Sequence, residues 1–71
     1  MKLTKTYLYN ICVGGFYAFQ VYQVVDAHHQ VYFIGEPVAR GGTKIADTIP
    51  ELHKLLEAQV PMLNKYARRE R

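Results

Sequence analysis

Between residues 6 and 35 the chain carries a single formal charge, Asp26, and two adjacent glycines, Gly14 and Gly15, sit in the middle of the uncharged part. Tyr, Val, Ile, Phe and Thr dominate there, residue types that suit a pleated, half-buried surface. Residues 6–25 are also long enough for a membrane span, with Lys2 and Lys5 placed like a signal-peptide n-region and Val25-Asp26-Ala27 loosely imitating a cleavage site. The polar residues Thr6, Asn10, Gln20 and Gln23 and the central glycines oppose that reading. So does the remainder, which would be too short for an ordinary core. The stretch therefore reads as a β-hairpin of a soluble, cytoplasmic protein, and a lone cysteine, Cys12, suits a reducing compartment.

Two glycines supply the positive φ angles of a two-residue hairpin turn. That turn sets Val13 opposite Phe16, Ile11 opposite Ala18, Tyr9 opposite Gln20 and Tyr7 opposite Tyr22. A second turn at residues 26–29 then pairs Val24 with Val31, and the third strand runs from about Gln30 to Gly35, with Pro37 either stopping it or placing it at an edge. Strand alternation sorts the side chains into two faces. One holds Tyr7, Tyr9, Ile11, Val13, Phe16, Gln20, Tyr22, Val24, Val31 and Phe33. The other holds Leu8, Cys12, Phe19, Val21, Val25, Tyr32 and Ile34, with an aliphatic row of Leu8, Val21 and Ile34.

Residues 38–44 read as a loop around Gly41-Gly42, and residues 44–46 as a candidate fourth strand. Thr48-Ile49-Pro50-Glu51 matches a capping box, with Pro tolerated in the first helical turn. Leu52, Leu55, Leu56 and then Gln59 and Val60 recur at helical spacing. Pro61 ends or kinks the helix near Gln59, and Met62, Leu63 and Tyr66 begin a short extension. The expected fold is α+β: a three-stranded antiparallel meander, with a possible fourth strand, followed by one amphipathic helix and a short helical extension. Residues 1–71 form one domain, with 67–71 as a frayed basic tail.

A core from 71 residues is marginal, and one cysteine permits no internal disulfide. Association with a partner, or with a second copy, is then a natural source of added stability. One short helix covers one sheet face. Placed on the aliphatic row through Leu52, Leu55 and Leu56, it leaves the aromatic face as an interaction surface built from Tyr7, Tyr9, Phe16, Gln20, Tyr22 and Phe33. The competing arrangement folds residues 62–66 back over that face and closes the core.

Catalytic chemistry is not visible. Asp26 with His28 and His29 reads as a solvated turn, and only His53 remains as a further imidazole. As a strand residue, Cys12 reads as a small core side chain. Arg40-Gly41-Gly42-Thr43-Lys44 lacks the spacing of a phosphate loop. No enzyme activity, cofactor or metal is expected.

The net charge of +3 is concentrated in Lys2, Lys5, Arg40, Lys44, Lys65, Arg68, Arg69 and Arg71, a set able to contact nucleic acid. An antiparallel three-stranded sheet followed by a helix resembles, in element order over roughly residues 5–60, the AP2-like and integrase-arm DNA-binding modules. That resemblance implies a sheet laid in a groove. Small size without catalytic residues resembles, as a class, phage and mobile-element inhibitors such as anti-CRISPR proteins. The expected function is a non-enzymatic protein-binding module, an inhibitor or modulator of a larger complex. The alternative is a small DNA- or RNA-binding accessory or regulatory protein.

Overall fold

A computed structural model describes the backbone of residues 3–69 and the side chains of residues 3–66. Four strands form one antiparallel meander: β1 (Thr4–Val13), β2 (Tyr17–Val25), β3 (Val31–Pro37) and β4 (Lys44–Ala46), in the order β1-β2-β3-β4. Two helices follow, α1 (Ile49–Glu57) and α2 (Val60–Arg69). The expected α+β class and element order hold, and residues 44–46 do form the fourth strand. No helix among the described residues is long and apolar enough to cross a membrane, and residues 6–25 lie in β1, its turn and β2.

The strand registers differ from the expected ones. Gly14 and Gly15 take φ of +61° and +78°, as a tight hairpin turn requires. Phe16, however, stays out of the ladder, and Val13 pairs with Tyr17. The loop therefore holds three residues, and Ile11 faces Phe19 rather than Ala18. Two tertiary contacts account for this. The hairpin tip packs on the start of α2, where a Cβ on Gly14 would lie 2.7 Å from Val60 Cγ1. Tyr17, brought into the ladder, donates its hydroxyl to Asn64 Oδ1 of α2 at 2.7 Å.

A second irregularity reverses the slip. Tyr9 pairs with Val21 and Tyr7 with Tyr22, so Leu8 is the extra residue of a β-bulge. Tyr7 recovers its expected partner, but Tyr7 and Tyr9 now lie on opposite faces. The second turn shifts by one residue as well, pairing Val25 with Val31 and Val24 with Tyr32. Asp26 closes that turn. Its backbone N–H donates to Gln30 O at 3.0 Å, and its Oδ1 accepts from the N–H groups of His28 (2.8 Å) and Gln30 (3.0 Å). His29 supplies the left-handed residue, with φ of +61°.

These registers define a covered face and an open face. On the covered side Phe19, Val21, Leu52 and Leu56 are fully buried, joined by Val13, Ala46 and Leu63. Tyr9, Ile11, Tyr17 and Phe33 pack at the margin of this core. Of the expected aliphatic row only Val21 lies under the helix. Leu8 stands exposed at the bulge, and Ile34 alternates onto the opposite face. Leu55 is also left at the edge of the helix contact. Leu63 belongs to the same core as Leu52 and Leu56, so the extension lengthens the cover on one face and does not close the other.

Close approach of helix to sheet depends on Gly35, where a Cβ would lie 2.9 Å from both Leu56 δ-carbons. Thr48 caps α1 as expected, its hydroxyl accepting from the Glu51 N–H at 3.3 Å. The helices break at Ala58 and Gln59, just ahead of Pro61 in the first turn of α2, and Gln59 turns inward, where it is buried. There its amide grips the β3–β4 loop at two points. Gly42 N–H donates to Gln59 Oε1 at 2.6 Å, and Gln59 Nε2 donates to Gly42 O at 3.0 Å. Beside it Gly41 has φ of +126°, and a Cβ there would meet the Phe19 ring at 2.7 Å.

Gly41→Ala should cost about 1–3 kcal/mol, since backbone strain and overpacking against Phe19 combine. Gly15→Ala, with nothing near its Cβ, meets only the left-handed strain of about 1–2 kcal/mol. Gln59→Leu should cost about 1–3 kcal/mol by stranding the Gly42 peptide groups. Urea unfolding of the three variants checks the values and the greater sensitivity of Gly41 relative to Gly15.

Candidate interaction surface

The open face is built on one cross-sheet row. Tyr7 pairs with Tyr22, Tyr22 with Ile34, and Ile34 with Ile45, so a single apolar line crosses all four strands. Its ends are the most solvent-accessible parts, Tyr7 at 52% and Ile45 at 59% exposure. Tyr7 and Tyr22 meet edge to face, with centroids 5.8 Å apart and planes at 70°.

Polar side chains hold the rings in place. Tyr7 donates its hydroxyl to Asn10 Oδ1 at 2.7 Å, a contact the bulge permits by bringing both residues to this face. Tyr22 donates to Gln20 Oε1 at 3.0 Å. Lys5 pairs in the ladder with Val24, and Glu36 with Gln20, on either side of Tyr22. Their ion pair, at 2.6 Å, therefore spans the central ring, with Lys5 Nζ 4.3 Å from the Tyr22 centroid. The hydrogen bond to Glu36 raises the lysine pKa above its ordinary value; desolvation opposes this and the Glu36 charge reinforces it. Rings already held this way lose little freedom on docking.

The six residues expected to form one surface are divided by the structure. Tyr7, Gln20 and Tyr22 lie on the open face. Tyr9 and Phe33 lie on the covered face, against the core. Tyr9 is half-buried, its hydroxyl 3.0 Å from His53 Nε2 and its ring edge to face with the imidazole at 6.2 Å. Phe16 stands at the hairpin tip, 84% exposed, beside a shallow cleft of about 170 Å³ shared with Tyr17, Ala18, Val38, Ala39 and Arg40. The register slips are the cause in each case, because one residue of slip exchanges the faces. Sequence reasoning missed Ile45 and the Lys5–Glu36 strap, and placed Ile34 under the helix. Gly35 was the available signal: a residue without a side chain marks where a helix approaches.

The cationic set is dispersed. Lys5 is on the open face, whereas Lys44 pairs with Gly35 on the covered side. Arg40 lies in the β3–β4 loop and Lys65 on α2, while Lys2, Arg71 and the side chains of Arg68 and Arg69 lie outside the described residues. In the Arg40-to-Lys44 loop the Gly42 N–H is taken by Gln59 and does not face a ligand. Cys12 is exposed beside Asn10 on β1 rather than in the core as expected, because the register turns it to the open face. Among the described residues no three His, Cys, Asp or Glu side chains gather as metal ligands.

No protein-family model, curated protein or solved structure matches the chain.

Tyr9→Phe should destabilise the fold by about 1 kcal/mol through loss of the His53 hydrogen bond. Tyr7→Phe, altering an exposed ring, should stay within about 0.5 kcal/mol of the parent. Chemical denaturation of the two variants checks the asymmetry, which two tyrosines on a common face would not show.

Proposed function

We propose that the protein is a non-enzymatic binding module that docks a flat, apolar patch of a larger protein on its open sheet face, inhibiting or modulating that partner. The observation that carries this reading is the row of Tyr7, Tyr22, Ile34 and Ile45, which crosses the whole sheet on the side neither helix covers. Exposed aromatic and aliphatic residues in one contiguous row are typical of binding surfaces, and Tyr gives large contact area with few rotamers. The Lys5–Glu36 strap adds one charge of each sign beside the apolar line. Such a pair favours a partner with matching charges and gives specificity more than affinity. Small inhibitors of phage and mobile-element type act in this manner, by occupying a surface of a larger assembly. The cytoplasm is the proposed site of action, the compartment an unpaired Cys12 suits.

The test is affinity capture from host lysate with nuclease treatment, comparing the parent with Tyr7→Ala and Ile45→Lys. The expected result is a stoichiometric protein that survives nuclease and binds either variant about tenfold or more weakly, while both variants remain folded. Partners that disappear with nuclease and are indifferent to both substitutions would overturn this reading in favour of nucleic-acid binding through the dispersed cations.

A further inference from the structure

The sheet has two edges of very different length. β4 offers three residues, whereas β1 offers ten. β1 ends the strand order, so its outer edge presents backbone N–H and C=O groups with no neighbouring strand among the described residues. The chemistry that satisfies such a row is another extended backbone. The Leu8 bulge divides the edge and bends the part before it. Residues 9–13 remain in unbroken register with β2 and contain neither charge nor proline, the usual protections of an edge.

We infer that two copies of this chain pair antiparallel through residues 9–13 of β1, joining their sheets edge to edge. Three observations select a second copy as the occupant. First, a two-fold axis brings like residues together, and this segment has no charge to repel its own image. The nearest charge, Lys5, is held by Glu36. Second, a pair centred on Ile11 sets Ile11 against Ile11, Tyr9 against Val13 and Asn10 against Cys12 of the other copy. Tyr9 and Ile11 are only half-buried at the rim of the core, and this pairing continues their apolar rows. Third, α1 packs mainly over β3 and β4, with Leu56 on Gly35, and it reaches β1 through the Tyr9–His53 contact on the covered face, so the outer backbone edge of β1 is not hydrogen-bonded to a strand among the described residues. The resulting eight-stranded sheet carries both open faces on one side, giving a bivalent docking surface.

Sedimentation equilibrium of the full chain under reducing conditions tests the pairing. The parent should be a dimer. Asn10→Lys/Cys12→Lys, at two exposed positions, should weaken dimerisation about tenfold or more by opposing like charges across the axis. Ile45→Lys, on the open face near the other edge, should leave the dimer intact, which separates this inference from partner docking. A parent that stays monomeric, or a dimer broken by Ile45→Lys and not by the double variant, would overturn it. Should the double variant fail to fold, hydrogen exchange of the parent decides. Amide protection within residues 9–13 should rise with protein concentration, and concentration-independent protection would overturn the inference.

Discussion

Period-two alternation makes a strand intolerant of one odd residue, because every side chain beyond it changes face. This hairpin contains two odd residues, Phe16 after the turn and Leu8 in the bulge, and their effects cancel. Between them, Tyr9, Ile11 and Val13 are turned toward the helices. Beyond Leu8 the register returns, and Tyr7 lies on the open face beside Tyr22. The separation of core from surface in β1 depends on this pair of irregularities.

The helices hold the arrangement from above. Leu52 and Leu56 bury Phe19 and Val21, and Gly35 lets Leu56 reach the sheet. Pro61 breaks the helix where Gln59 must face inward, so a helix breaker and a loop clamp serve one purpose. Val60 and Asn64 then meet Gly14 and Tyr17, fixing the hairpin end in the register that the core requires. The helices thereby cover one face of the sheet, and the row from Tyr7 to Ile45 lies on the other.

Much of the fold could be read from residue types. Gly14-Gly15, Thr48 and Pro61 each dictate local backbone geometry: the hairpin reverses at the glycines, though over three residues rather than two, Thr48 caps α1, and the helix breaks ahead of Pro61. Register was less accessible. A two-residue and a three-residue loop fit the same glycine pair, and the choice rests on contacts with α2, far along the chain. The bulge has no local signature in Tyr7-Leu8-Tyr9. Tyr7, Gln20 and Tyr22 were placed together correctly because the two irregularities cancel at Tyr7. Tyr9 and Phe33 were misplaced because each lies where a single uncompensated slip applies. Reading Gly35 as the seat of a helix would have moved Phe33 to the covered face.

Leu8 and Phe16 together put Tyr9 under the helices and Tyr7 on the open face. Nuclear Overhauser contacts in the isotope-labelled protein test this placement most directly. Contacts are expected from the Tyr9 ring to His53, from the Tyr7 ring to Tyr22, and between the backbones of Ile11 and Phe19. Backbone contacts from Ile11 to Ala18 and from Tyr9 to Gln20, with both tyrosine rings beside Tyr22, would contradict it.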